Sequence, residues 1–526
     1  MDLDIKPRIR IKHPQRLFAG IGVALFIMIL IRNLWIGDDA FITLRVVDNW
    51  VNGYGLTWNT SERVQAYTHP LWVFILALFY SIKADPYFTF YTSAFILSTI
   101  TVILLLYKFP SSFQLTLLGS WLLISSQAFV DYSSSGLENP LSHLLLLIFL
   151  FVSLDKSFDS DYWRLFWMAI ISGLATLNRL DTILFFVPLL FYEWYQLRKD
   201  WLKASLIILV GFLPLILWEM FSLIYYGFLF PNTNPAKLNT TVPIFVFIQH
   251  GIYYIFNSLN WDPVTLITFS IAAYITIAER DKRKLLLLLG GTSYLLYVIW
   301  IGGDFMTGRF FSLLFLLSIV LLFKSDIQQR LNLNNTFSFG LTFLLVFMIG
   351  LAALAPPFMI KAEDNFTVTQ YGIANEKLFF YSRSGWLSQK GRFSTPDFGG
   401  PEGLHARQAG ITPISNSSIG AFGYYAGPEI YIIDTAALTD ALLARIPYGE
   451  FSRPGHYNRQ LPQGYVETFE NGFENKIRNP YLNAYFDKLS IITRGDIFNS
   501  ERWKLIWEFN KGKYDHLMEK FVISAN

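Results

Sequence analysis

Two adjacent carboxylates, Asp38 and Asp39, stand directly after the first apolar segment of the chain. An ionisable pair at the edge of a bilayer is costly to hold there, so such residues are functional candidates by default. Asp38 could act as a general base on a hydroxyl group, while Asp39 orients a substrate or raises its neighbour's pKa by like-charge repulsion. The alternative is that both acids merely favour the start of a helix or form an interfacial ion pair.

The residues that follow predict a helix and then a loop folded onto a membrane surface. Arg45 lies seven residues, about two helical turns, after Asp38, so it can share the same helix face. The Gly-Tyr-Gly sequence at 53–55 should end that helix. Tyr67 and His69 bring polar groups back just before an apolar run, and His69 is interpreted as a positioning group because no second histidine lies nearby to complete a metal site.

Three basic residues lie in polar insertions between apolar blocks: Arg179 in NRLD, Lys237 in PNTNPAK and Arg309 in GGDFMTGR. An ion pair with Asp181 is the default explanation for Arg179, and a side chain reaching along the membrane boundary is the ordinary one for Lys237. Binding of an anion such as phosphate is the alternative for all three. Lysine and arginine are usually enriched in cytoplasmic loops of membrane proteins. Their presence at an outer boundary therefore favours the anion site.

Further polar and aromatic residues are candidates for substrate contact. Glu138 stands where SSSGLENP starts a helix, so a capping role competes with a role in binding. Asn232 and Asp304 belong to the PNTNPAK and GGDFMTGR insertions. Tyr424 and Tyr425 could be ordinary packing aromatics, or they could form a platform for the apolar face of a sugar ring.

The composition indicates a polytopic membrane protein. Of 526 residues, 53% are hydrophobic and 15% are charged, compared with about 25% charged in average soluble proteins. The net charge of +3 is too small to suggest a nucleic-acid partner. The chain has no cysteine, which excludes disulfides, thiol nucleophiles and zinc sites of the Cys/His type.

Basic residues predict the orientation of the chain in the membrane. Five of them precede the first apolar segment, which places the N-terminus in the cytoplasm and the Asp38 loop outside: Lys6, Arg8, Arg10, Lys12 and Arg16. Leu17–Trp35 is interpreted as a retained helix rather than a cleaved signal peptide. Alternating the later apolar blocks gives about eleven transmembrane helices, with nearly all polar insertions outside. Leu71–Ile82 is short for a span, and an interfacial or re-entrant segment is the alternative.

The chain divides into two predicted domains. Residues 1–356 form the transmembrane module, with the first outer loop at 37–70. From about Pro357 the composition becomes polar, and residues 357–526 are expected to form an extracytoplasmic α/β domain. Within it, Glu429–Asp434 is predicted as a buried strand and Thr435–Ile446 as a helix.

Seven segments in order along the chain carry a family resemblance: GDDAFITLR at 37–45, GYGLTWN at 53–59, YTHPLW at 67–72, SSGLENPL at 134–141, YYGFLFPNTNPAK at 225–237, GGDFMTGRF at 302–310 and GYYAGPEIYIIDTAALTDALLAR at 423–445. Together they resemble the GT-C class of membrane glycosyltransferases that use polyprenyl-phosphate sugars. Within it, they resemble the actinobacterial terminal arabinofuranosyltransferase and its bacterial relatives.

The resemblance implies an inverting transferase of the bacterial inner membrane that acts on its outer, periplasmic face without a metal or another cofactor. Its donor would be a polyprenyl-phosphate-linked sugar, either a pentose such as arabinofuranose or a hexose, and its acceptor a cell-envelope glycan. Asp38 matches the family's catalytic carboxylate and Asp39 its neighbour. Lys237 and Arg309, with Arg179 behind them, would stabilise the phosphate leaving group.

In the interpretation that follows, Asp39, Arg45, Tyr67 and His69 shape the acceptor site, and the C-terminal domain helps to bind the acceptor glycan. Two other classes of protein remain open. A glycan ligase or polymerase using a diphosphate-linked donor would differ in donor chemistry. A lipid-linked-sugar transporter would more often show broken helices near the midplane and polar groups on both faces.

Overall fold

A computed structural model describes residues 14–155, 157–158, 160–359, 368–388, 395–451, 453–470 and 472–525. Lys6, Arg8, Arg10 and Lys12, on which the predicted orientation rests, lie outside the described residues. The described chain is mostly helical. Up to residue 356 its α-helices are Pro14–Asn33, Asp38–Val51, Pro70–Ile82, Pro86–Lys108, Phe113–Ser125, Gln127–Asp131, Asn139–Leu154, Asp161–Asn178, Ile183–Gln196, Trp201–Gly211, Leu213–Tyr225, Thr233–Leu238, Ile244–Trp261, Pro263–Glu279, Lys282–Trp300, Phe311–Phe323, Ile327–Arg330 and Thr336–Leu351.

The later part of the chain is also mainly helical. Its α-helices are Glu376–Ser384, Gly400–Ala409, Gly420–Ala426, Tyr465–Glu470, Pro480–Arg494, Ser500–Asn510 and Asp515–Ala525. Short 3-10 turns lie at Leu180–Thr182, Arg198–Asp200 and Leu443–Arg445. The two strands among the described residues, Ile414–Asn416 and Ile432–Asp434, pair in parallel, with Ile414 opposite Ile432.

The membrane character of the described chain rests on a few long apolar helices. Pro14–Asn33 and Pro86–Lys108 are long and apolar enough to cross a bilayer. Two bent pairs would raise the number to four if each pair is one span: Arg198–Gly211 with Leu213–Tyr225, and Ile244–Trp261 with Pro263–Glu279. The prediction of about eleven spans is therefore not confirmed, since most other apolar helices, including Pro70–Ile82, are shorter.

Side-chain caps fix where several of these helices begin. Asp85 accepts a hydrogen bond from the Phe88 amide, and Ser112 accepts one from Leu115. At the bend of 107° before Pro263–Glu279, the buried Asp262 carboxylate accepts from the backbone amides of Ala128 and Thr265. Each cap satisfies an amide that has no partner inside its own helix.

The loop after the paired aspartates forms as predicted. Asp38 and Asp39 occupy the first turn of Asp38–Val51, where acidic side chains are favoured by the helix dipole. The helix ends just before Gly53 and Gly55, whose φ angles of 86° and 87° are readily adopted by glycine.

The predicted helix at Thr435–Ile446 is wrong. Residues 435–442 form turns, and only the short 3-10 turn at Leu443–Arg445 is helical. The cause is the buried Asp434 carboxylate, which accepts hydrogen bonds from the Ala436 and Thr439 amides at 2.9 Å each and so closes a turn directly after the strand. Ala437 follows with a φ of 65°, which interrupts a helix. The buried strand is confirmed, in a shorter form, at Ile432–Asp434.

A buried ion pair joins the later part of the chain to the first helices. The Lys377 ammonium lies 2.6 Å from the Asp131 carboxylate and also donates to the Asn33 side-chain oxygen. All three residues are less than 10% exposed. Because both charges have left water, each depends on the other for compensation.

We expect Lys377→Met to lower the stability of the purified protein clearly, because it leaves the Asp131 carboxylate buried without its cation. Removing one partner of a buried pair typically costs about 3–5 kcal/mol. Lys476→Met is the matched control, since its partner Glu474 is 71% exposed and exposed pairs contribute about 0–1 kcal/mol. The midpoints of thermal unfolding in detergent test this, and equal midpoints for the two variants would contradict it.

Candidate functional site

A cavity of about 490 Å³ collects the basic residues that the sequence singled out. Arg179, Lys237 and Arg309 all line it, together with Glu138 and Asp304. These five residues come from four separate polar insertions of the sequence, which the helices between them bring to one place.

Glu138 lies at the centre of the charges in this cavity. Its carboxylate accepts from Arg179 Nη1 at 2.9 Å and from Arg309 Nη2 at 3.0 and 3.2 Å. Arg179 also donates through Nε and Nη2 to both oxygens of Asp181, so the predicted ion pair between these two residues is confirmed. Arg309 Nη1 lies 3.6 Å from the Asp304 carboxylate. Two guanidinium groups are thereby held side by side.

The capping role considered for Glu138 is wrong. Glu138 does stand at the N-cap of Asn139–Leu154, but its side chain makes no capping hydrogen bond. Burial alone would raise the pKa of Glu138, but the charges of Arg309 and Arg179 hold it well below its usual value. The carboxylate therefore stays ionised and neutralises part of the charge of the two arginines.

His69 reaches the same cluster as a neutral side chain. Its Nε2 is 2.8 Å from the Thr43 hydroxyl, and its Nδ1 is 3.7 Å from Glu138. Burial lowers the pKa of His69 to about 4, and the positive charges of Arg309 and Arg179 act in the same direction against the attraction of Glu138. A neutral imidazole can position a neighbouring group by hydrogen bonding.

Lys237 has fewer polar partners than the two arginines of the cavity. Within the part of the chain that the structure describes, its ammonium group makes no hydrogen bond or ion pair. Loss of solvent around it lowers the pKa of Lys237, while the negative charges of Asp304 and Asp39 raise it. The charge of Asp39 also acts on Arg309 and His69, so Asp39 lies within electrostatic reach of the cavity.

Asp38 instead contacts the later part of the chain. Its carboxylate accepts hydrogen bonds from the backbone amides of Ala421 at 2.7 Å and Gly420 at 3.2 Å, and from the Ser418 hydroxyl at 3.4 Å. Burial raises the pKa of Asp38 to about 6, and the nearby charge of Asp39 adds to this, while the two amide bonds lower it. Asp38 thus holds the start of helix Gly420–Ala426 in place by hydrogen bonding to its amides.

Three of the predicted substrate-binding residues make contacts within the protein. The buried Arg45 guanidinium donates to the carbonyls of Trp58, Gly423 and Ile430 at 2.6 to 2.9 Å. Because Asp38 and Arg45 both contact Gly420–Ala426 or its flanks, the predicted shared helix face is confirmed.

The Tyr67 hydroxyl bonds the Tyr226 hydroxyl at 2.8 Å. The Asn232 amide donates to the carbonyls of Ala437, Leu438 and Asp440. Both side chains are buried, at 1% and 7% exposure, so these contacts stabilise the fold around the cavity.

Tyr424 and Tyr425 pack as ordinary aromatics. Their ring centroids lie 5.9 and 6.2 Å from that of Phe41, and neither residue lines the cavity. The Tyr424 hydroxyl is 3.0 Å from the Tyr80 hydroxyl. The alternative of a sugar platform has no support from these contacts.

A loop that no sequence pattern had indicated closes one side of the cavity. Pro454, Gly455 and Tyr457 line it, and a Cβ on Gly455 would lie 3.5 Å from the Lys237 ammonium nitrogen. Arg453 fixes this loop by pairing with the buried Glu376 and by lying over the Phe305 ring at 4.6 Å. The sequence Arg-Pro-Gly-His at 453–456 could have indicated this loop, because a turn dipeptide stands there between a basic and a titratable side chain.

Metal independence stays a prediction. Among the described residues, no group of three or more histidine, aspartate and glutamate side chains is arranged to hold a metal ion. The carboxylates of the cavity are engaged with arginine.

Comparison with known proteins confirms the predicted resemblance. No family model matches the chain. The protein named terminal β-(1→2)-arabinofuranosyltransferase of Mycobacterium tuberculosis is 25% identical over 402 residues, 67% of this chain and 63% of the relative. The protein of the same name from Corynebacterium glutamicum is 27% identical over 328 residues, 52% of this chain and 46% of the relative. The chain therefore spans less than two thirds of either relative, and it is similar to proteins named as arabinofuranosyltransferases.

We expect Gly420→Ala to break the hydrogen bonds between Asp38 and the start of helix Gly420–Ala426. A Cβ at Gly420 would lie 2.0 Å from the Asp38 carbonyl oxygen and 2.6 Å from its carboxyl carbon, so the two segments must separate. Gly340→Ala is the matched control, because a Cβ there meets nothing within 4 Å. Faster proteolysis of the later part of the chain and a lower unfolding temperature in Gly420→Ala alone are expected. Equal behaviour of the two variants would contradict the contact.

Proposed function

We propose that this protein is a membrane glycosyltransferase that moves a sugar from a polyprenyl-phosphate donor to a cell-envelope glycan on the outer face of the inner membrane. The observation that carries the proposal is the cavity in which Arg179, Lys237 and Arg309 meet, within electrostatic reach of Asp39. The names of the two relatives support glycosyl transfer and favour arabinofuranose over a hexose as the sugar. The candidate spans are consistent with a donor whose lipid stays in the bilayer.

The cavity suits a phosphate leaving group. As the bond between the sugar C1 and the phosphate oxygen breaks, negative charge grows on the phosphate and needs fixed positive charge nearby. Lys237, which has no partner among the described residues, would contact the phosphate directly. Arg309 and Arg179, held in place and largely neutralised by Glu138, Asp181 and Asp304, would form the fixed wall beside it.

Asp39 is the better candidate for the base, although the sequence pointed to Asp38. The base must lie where an acceptor hydroxyl meets C1, close to the cations that hold the phosphate. The charge of Asp39 acts on Lys237 and Arg309, whereas the Asp38 carboxylate is occupied by the amides of Gly420 and Ala421. In the proposed step the acceptor oxygen bonds to C1, its proton passes to Asp39, and polyprenyl phosphate leaves. Asp38 would act as a positioning residue.

Transfer from a panel of radiolabelled polyprenyl-phosphate sugars in detergent tests the function and the base together. We expect Asp39→Asn to lower the rate by about 10²–10⁴-fold, the usual contribution of a general base. Asp38→Asn is the matched control and should lose much less activity, because its amide oxygen can still accept from the Ala421 amide although its amide nitrogen cannot accept from Gly420. EDTA should leave the wild-type rate unchanged.

The opposite order of the two variants would return the base to Asp38. Transfer only from diphosphate-linked donors would favour a ligase, and no transfer from any donor by folded protein would favour a transporter. A rate abolished by EDTA would overturn the metal-free step.

The neutral state of His69 generates a prediction about pH. Since burial lowers its pKa to about 4, His69 is already deprotonated above about pH 5. A change of activity with pH above that value should therefore not arise from titration of His69. We expect His69→Gln, which keeps a neutral hydrogen-bonding group, to show the same shape of pH–rate profile as the wild type between about pH 5.5 and 8, whatever its absolute rate. Loss of a limb near pH 6 to 7 in the variant would contradict a neutral His69.

A further inference from the structure

One surface of the later helices carries exposed aromatic side chains. Trp503 and Trp507 lie one turn apart on helix Ser500–Asn510 and are 37% and 64% exposed. Phe498, just before the helix, is 86% exposed. Trp503 and Trp507 share one face of the helix, and contiguous exposed apolar surface of this kind marks a site of interaction.

Other residues of the same helix bind the end of a candidate membrane span. The buried Arg502 guanidinium donates to the carbonyls of Ile224 and Tyr225 at 2.9 Å each. These are the last residues of Leu213–Tyr225, which completes the bent span that begins at Arg198. Asn510, at the other end of Ser500–Asn510, donates to the Gly227 carbonyl at 2.9 Å. Taken as one span, the bent pair places Ser500–Asn510 at the level where that span leaves the hydrocarbon.

The chemistry of the exposed surface matches a lipid headgroup region. Tryptophan is enriched at membrane interfaces because its ring is apolar and its N–H finds polar partners. Lys504 and Lys511 lie beside the aromatic residues, and the Lys511 ammonium sits 4.0 Å from the centre of the Trp507 ring. Lysine near a membrane surface is attracted to anionic lipids.

We propose that the aromatic face, formed by Phe498, Trp503 and Trp507, inserts into the lipid headgroup region and anchors the later helices on the bilayer. The partner is the lipid surface itself, because the helix that carries this face is bonded to the end of a span. The anchor does not depend on the proposed sugar transfer. It would fix the height of the C-terminal helices above the membrane.

The absence of cysteine makes a direct test available. Phe498→Cys and Trp507→Cys each place one environment-sensitive fluorophore on the aromatic face, and both native side chains are exposed, so folding should survive. Glu501→Cys is the matched control, since it lies on the same helix about 200° around from Trp503. The full chain is reconstituted in nanodiscs of phosphatidylcholine and phosphatidylglycerol, with and without lipids carrying a doxyl quencher near the headgroup.

We expect blue-shifted emission at positions 498 and 507 and loss of most of their fluorescence with the doxyl lipids, but neither effect at position 501. Unshifted and unquenched probes at 498 and 507 would overturn the anchor and leave the face for a protein partner. Equal quenching at all three positions would overturn it too, because the fluorophore rather than the face would then be binding lipid.

Discussion

Two arginine side chains share one buried carboxylate, and the shape of the cavity depends on this arrangement. Arg179 and Arg309 would repel each other without Glu138, and Glu138 would not stay ionised at its 1% exposure without them. Each donor comes from a different polar insertion, so the cluster forms only when the intervening helices are packed. The same ion pairs hold these segments together and fix the two guanidinium groups in the lining of the cavity.

The later part of the chain also contacts the residues around the cavity and holds them in place. Backbone amides at the start of Gly420–Ala426 bind Asp38, and Arg453, paired with Glu376, holds the loop that faces Lys237. These hydrogen bonds and ion pairs are partly or fully buried. They specify the position of the later part of the chain on the first helices more sharply than apolar contact alone. The geometry of the first loop therefore depends on residues that follow it by almost 400 positions.

Local chemistry explains which parts of the site the sequence could predict. The acidic helix start, the glycine break and the Arg179–Asp181 pair involve neighbours in the chain, and all three are present. The partners of Asp38 and Arg45 in the later part of the chain lie 378 to 385 residues away, so no spacing rule could find them. The predicted helix after Asp434 failed because the composition of residues 435–446 suits a helix, whereas one buried carboxylate closes a turn there.

The balance of charge in the cavity indicates which cation is available to an anionic ligand. Arg179 already bonds two carboxylates and Arg309 bonds one, so a phosphate that replaced those partners would leave buried acids unneutralised. Lys237 has no such partner among the described residues, and a compact ammonium group can bind a phosphate oxygen without a fixed orientation. A phosphate bound there leaves the arginine cluster intact and lies within reach of the charge of Asp39.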